Sequence, residues 1–176
     1  YDQGLSYNNV RYKYLIKHIA DYAIVSVLGS YDATSREEIL LKERERMSNI
    51  INRPVRRFRA NNNLLPLPEL YQHLAATEFK EDYTMGYLSH IGFRAGTCTP
   101  YIFYDIRLEV QIPIVVHSFA LHWQHIDKQC TKETLYLIET IKQQVADLKG
   151  DFISIFSPEY LSKAPNRFSL YKKVVN

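Results

Sequence analysis

The chain has little of what several function classes need. Its 176 residues include two cysteines, six glycines and one tryptophan. Cys98 and Cys130 form no Cys-x-x-Cys pair, so no disulfide framework is expected, and two thiols suit a reducing compartment. Gly92 and Gly96 lack the spacing of a phosphate-cradling loop. No apolar run reaches the roughly 18 residues of a membrane span, and no signal peptide is visible. The chain opens on Tyr1 rather than methionine, so this silence about targeting carries no weight. Net charge is small too, at +3. Basic residues gather only at Arg53, Arg56, Arg57 and Arg59, where Val55 and Phe58 alternate with them as on a strand. A nucleic-acid footprint needs a wider basic face, so no nucleic-acid partner is expected.

Apolar side chains are present in strength, at 46 % of the chain, enough for one folded domain over residues 1–176. Tyrosine is abundant, with 14 copies. Its apolar body and polar tip suit half-buried strands, and equally cleft walls and sugar contacts.

Helical periodicity runs over residues 8–21, with Asn8 as cap and Val10, Tyr14, Leu15 and Ile19 as an apolar stripe. Residues 23–28 read as a buried strand. Ser35 followed by Glu38 forms a capping box for a helix to Ile51, which Pro54 ends. Residues 55–58 read as the next strand, and Pro68 opens a helix to about Ala76. A short strand over 82–85 precedes a long Gly-, Ser- and Thr-rich loop over 86–100. Residues 110–119 form a strand, with Pro113 at an edge or bulge. Thr131 caps a helix that Gly150 stops, striped by Leu135, Ile138, Ile141, Val145 and Leu148. Residues 152–156 give the last clear strand, and 168–175 a helix or strand. Helices between successive strands specify a largely parallel α/β sheet, with Val25, Val27, Val115, Ile153 and Ile155 on its central strands.

Ligands of parallel sheets bind beyond the carboxyl ends of the strands. Those segments are 28–32, 59–63, 82–86, 117–125 and 157–160. Their amides, scattered acids and aromatics suit a polyhydroxyl ligand better than a phosphate. His117, His122 and His125 form the one local histidine cluster, the last two spaced for one helical face. Zinc needs three or four convergent ligands, so these three are the candidate metal set. The alternative leaves His117 on a strand and the other two solvated in a loop.

One run of motifs is more specific: Asp82-Tyr-Thr-Met-Gly-Tyr87, then Gly92-Phe-Arg-Ala-Gly-Thr97, Pro100 and Phe103-Tyr-Asp105. From about Tyr7 to Leu161 their order resembles a bacterial branch of the polysaccharide deacetylase-like proteins. Ile19-Ala-Asp-Tyr22, Ile51-Asn-Arg-Pro-Val55 and Phe152-Ile-Ser-Ile155 add to the likeness. The resemblance implies a partial or distorted parallel barrel ringed by helices. It also implies a divalent metal such as zinc, held by an aspartate and two histidines, with a second aspartate as base. Metal-bound water would attack an acetamide carbonyl on a sugar.

The same resemblance exposes losses. The strand that carries the family's aspartates has no counterpart before Tyr7. Leu28, Asn61 and Ser157 stand where relatives carry histidine, and His122-Trp123 replaces an acidic pair. Leucine cannot ligate a metal, and serine is a poor substitute for imidazole. The expected binding set is Arg59, Asn61, Asp82, Arg94, Asp105, His117 and Glu159, with no catalytic residue and no confident cofactor. Arg94 is expected to pair with Asp82 or Asp105. Three readings follow. The first is a silent domain that binds a glycan or a protein. The second is an active deacetylase completed by a segment outside this chain. The third is a structural subunit that associates through an exposed sheet edge.

Overall fold

The structure, a computed structural model, describes residues 6–129 and 131–175, without the side chains of residues 127–129. Cys130 therefore lies outside the described residues. The chain divides into two compact units, Tyr1–Thr84 with Tyr101–Val116, and Met85–Pro100 with His117–Asn176.

The first unit holds helices α1 (Val10–Tyr22), α2 (Glu37–Ile51) and α3 (Glu69–Ala76). Its strands are β1 (Val27–Gly29), β2 (Arg57–Ala60), β3 (Glu81–Asp82), β4 (Tyr101–Asp105) and β5 (Val110–Val116). They form one sheet in the order β1-β2-β3-β5-β4. Neighbours from β1 to β5 run parallel, and β4 returns antiparallel on β5. The expected α/β class with a mostly parallel sheet is thus observed. β4 was not expected as a strand. It pairs locally with β5 as a hairpin, and the register shifts between Ile102 and Tyr104, opposite the stretch that holds Pro113. A bulge there spares the ladder the missing proline N–H.

Alternation on β2 buries Phe58 and Ala60 on one face and half-exposes Arg57 and Arg59 on the other. Phe58 packs edge-to-face on Phe79 at 5.3 Å, in a core with Leu40, Leu70, Leu74 and Ile114. Gly29 is obligatory beside it, because a Cβ there would lie 2.5 Å from the Phe58 ring.

Helix entries differ from expectation in two places. Asn9, not Asn8, caps α1, accepting from the Tyr12 amide at 3.1 Å. Ser35 instead closes a 3-10 turn over Asp32–Thr34, so α2 starts at Glu37 with Arg36, not Ser35, in the cap position, and the capping box is unused. The α1 stripe is also reversed. Ile16 and Ala20 are buried, whereas Val10, Tyr14, Leu15 and Ile19 are exposed.

The second unit holds β6 (Leu121–His122), α4 (Trp123–Gln129), α5 (Lys132–Asp147), β7 (Ser154–Ile155), α6 (Pro158–Ser162) and α7 (Pro165–Val175). β6 and β7 pair in parallel. Its core gathers Leu121, Ile126, Ile138 and Val174, with Phe152, Phe156 and Leu170 against them. Thr131 caps α5 as expected, accepting from the Thr134 amide at 3.1 Å. Of the five residues expected on central strands, Val27 lies on edge strand β1, Val115 on β5 and Ile155 on β7. Val25 and Ile153 sit just before their strands. No described helix is long and apolar enough to cross a membrane.

Candidate functional site

The carboxyl ends of β2 and β3 carry a polar constellation. It is built around Asp82, which is fully shut off from solvent. Register places Asp82 beside Phe58, on the face covered by α3. From α3 the Tyr71 hydroxyl donates to Oδ2 at 3.1 Å, and the Thr84 amide donates to the same oxygen at 3.0 Å. The Thr84 hydroxyl donates to Oδ1 and accepts from the Ala60 amide at 2.9 Å. One threonine thus ties the ends of two strands through a carboxylate. Burial pushes Asp82 up to about 6, while the Thr84 hydroxyl and amide, Tyr71 and the Arg59 charge pull the other way.

A carboxylate that titrates near neutrality is often catalytic. Asp82 has no face left for a substrate, however, since its bonds go to the protein itself. Its role is to hold the strand ends. What faces outward is the turn after β2. Asn62 and Asn63 both adopt left-handed φ, at 52° and 53°, a region that asparagine tolerates better than most residues. Arg59 fixes this turn, with Nη2 donating to Asn63 Oδ1 at 3.1 Å. Burial lowers the Arg59 pKa, and the Asp82 charge opposes that. Asn61 is half-buried, and its Oδ1 accepts from the Asn62 amide at 2.9 Å. The Tyr101 hydroxyl feels the same surroundings: burial and then the Asp82 charge raise its pKa.

Arg59, Asn61 and Asp82 are therefore brought together as the sequence reading expected. Asn63 and Thr84, inside the expected segments 59–63 and 82–86 but not singled out, complete the group with Tyr71 and Tyr101, which lie outside every expected segment. The run of three asparagines directly after a strand was the available signal for Asn63. Asp105 is placed elsewhere. Its Oδ1 accepts from the Arg107 and Leu108 amides and its Oδ2 from Gln72, so it shapes the β4–β5 turn. Asp82 and Asp105 take these bonds from within the first unit. Arg94 belongs to the second, where it is exposed, so the expected Arg94 pairing does not feature in either carboxylate's described bonding.

In the second unit, Glu159 opens α6, is exposed, and pairs with Lys163 at 2.7 Å, a bond that lowers its pKa. His117 is half-buried, just past the end of β5. His122 is buried on β6 between Phe119 and Trp123, and its Nδ1 accepts from the Gln124 amide at 3.3 Å. His125 lies on α4, its Nδ1 2.7 Å from the Ser89 carbonyl and thus serving as the N–H donor. The alternative of solvated loop positions for these two is not what the structure shows.

The donors do not fit a divalent metal. Leu28 carries no donor atom, Asn61 spends its oxygen on the turn, and Ser157 is a lone hydroxyl at the start of α6. Among the described residues, no three histidine, cysteine or acidic side chains gather as a metal set.

Compared with protein-family models, curated proteins and solved structures, the chain matches none.

Proposed function

We propose that this chain is a polysaccharide deacetylase-like domain that binds an N-acetylated glycan without cleaving it. Such a domain would belong to bacterial glycan metabolism. The reading carries with it the family's distorted, partial barrel. One observation bears most of the weight: where the resemblance calls for imidazoles, the chain offers Leu28 within β1 and Asn61 just past β2. The surrounding surface supports binding instead. Asn61, Asn63 and Tyr101 offer amides and a phenol, the groups that hydrogen-bond sugar hydroxyls and cover a pyranose face.

The test is calorimetric titration with an N-acetylglucosamine oligomer, alongside an acetate-release assay with and without zinc. Binding without acetate is expected, and Asn61→Ala with Asn63→Ala should weaken it about tenfold, as two lost hydrogen bonds imply. Failure to bind at millimolar sugar would sink the proposal. Stoichiometric acetate would revive the active-enzyme reading.

The structural-subunit reading also has a specific observation behind it. β1 is an edge strand, and residues 23–29 around it contain neither charge nor proline, the usual guards of an open edge. A chain that pairs there would appear as protection of the β1 amides from hydrogen exchange.

A further inference from the structure

Helix α1 carries an apolar stripe that stands exposed among the described residues. Val10 and Tyr14 are 78 % and 73 % exposed, one helical turn apart. They wall a groove of about 570 Å³ between α1 and α2, with Ile50 on the opposite side. Lys13 and Lys17 share the α1 wall, at the three- and four-residue spacings that put all four side chains on one face. Arg46 stands on the α2 wall, its guanidinium 4.4 Å over the Tyr7 ring. Among the described residues no carboxylate lines the groove, and none of these three cations makes an ion pair.

We infer that this groove docks an acidic amphipathic helix of a partner protein. The cations favour an anionic partner, and the apolar side chains between them select which kind. An apolar ridge flanked by carboxylates buries Val10, Tyr14 and Ile50 while it pairs Lys13, Lys17 and Arg46. A nucleic-acid duplex or sulfated glycan would meet the cations but lay its charged backbone over Val10, Tyr14 and Ile50, leaving that apolar area unused. The scale fits as well: α1 spans about 20 Å at 1.5 Å per residue, matching three to four turns of a partner helix. This inference stands apart from the glycan reading, since the groove and the strand ends share no residue.

The test uses a labelled synthetic 14-residue peptide with leucine on one helical stripe and glutamate elsewhere. Fluorescence anisotropy follows its binding to the full chain near physiological salt. Saturable binding is expected, with a permuted peptide of the same composition binding at least about tenfold more weakly because it has no apolar stripe. Lys13→Glu combined with Lys17→Glu should weaken the designed peptide about tenfold or more. Tyr14→Ser should weaken it with no change in net charge, and circular dichroism checks that each variant keeps its helix content. Lys17→Glu alone, at an exposed site, serves if the double variant fails to fold. Equal binding of the permuted peptide would reduce the groove to an ion exchanger and overturn the inference. It would fall equally if a short oligonucleotide or heparin fragment displaced the peptide and bound more tightly. Sedimentation that showed a second copy of the chain seated on Tyr14 would overturn it too.

Discussion

Asp82 and Asp105 stand at opposite ends of the same sheet, and their protons behave in opposite ways. β5 shows the separation: Asp82 pairs across from Val116 and Asp105 across from Val110. Neither side chain touches solvent. Asp82 is pushed up to about 6, first by burial, with Thr84, Tyr71 and Arg59 opposing. For Asp105 burial also raises the pKa, but Gln72, the Arg107 and Leu108 amides and the Arg107 charge outweigh it and hold it below the usual carboxylate range. Contact with solvent therefore does not decide the ionisation. Depth does: Asp82 lies under α3 on the central strand β3, whereas Asp105 sits at the β4–β5 turn with only a thin cover.

The sharpest way to break this contrast is Thr84→Val. The shape is kept, but Asp82 loses a donor and the buried Ala60 amide loses its acceptor. An unsatisfied buried group costs about 1–3 kcal/mol, so the two together should cost about 3 kcal/mol in urea unfolding. Asp82 should also titrate higher than in the parent chain. A cost below roughly 1 kcal/mol would mean that the hydroxyl does not tie the two strands.

Asp82→Asn gives the next largest effect, and it depends on pH. A carboxyl whose pKa rises on folding stabilises the protein when protonated in the folded state. That contribution is complete below the unfolded value of 3.8 and is lost as pH rises through about 6. A shift of this size corresponds to stability on the order of 3 kcal/mol. Asparagine cannot gain it. The two proteins should therefore be nearly equal in stability at pH 7, where asparagine relieves a buried charge but supplies fewer acceptors. The parent chain should pull ahead as pH falls towards 4. A stability difference that stayed flat over that range would show Asp82 to be unperturbed.

What the sequence made legible follows from the range of the forces involved. Thr131 caps α5 and Pro68 precedes α3 because such bonds and clashes act within about four residues. The parallel sheet was readable from alternating apolar strands and intervening helices. β4 was missed because Tyr101–Tyr104 shows no apolar–polar alternation in the sequence, and only its hairpin pairing with β5 marks it as a strand. The Ser35 cap failed because a preceding 3-10 turn had already taken that residue. Asn61, Arg59 and Asp82 could be placed together from strand ends alone. Tyr71 could not, since its hydroxyl reaches Asp82 from a helix eleven residues upstream. Periodicity found the α1 stripe but gave it the wrong destination. A repeat of apolar residues tells which side chains share a face, and says nothing of what covers that face.

Asp105→Asn should have the smallest effect and the opposite pH trend. Its Oδ1 takes both turn amides, at 2.9 and 3.3 Å, and an asparagine oxygen can keep those bonds. Its Oδ2 lies 2.6 Å from the Gln72 side-chain nitrogen, and there the new amide would set donor against donor. Rotating the Gln72 amide by half a turn presents its oxygen instead, so little is lost. What remains is the charge. A carboxyl held below its ordinary value stabilises the fold above that range, and the benefit fades as pH falls through the folded pKa. The deficit of Asp105→Asn should therefore be greatest near pH 7 and shrink in acid, while the deficit of Asp82→Asn grows. Urea midpoints of the parent and both variants at pH 7, 5, 4 and 3 give the comparison directly. Two deficits that move in the same direction with pH would mean that the two ends of the sheet do not differ in the way their hydrogen bonds imply.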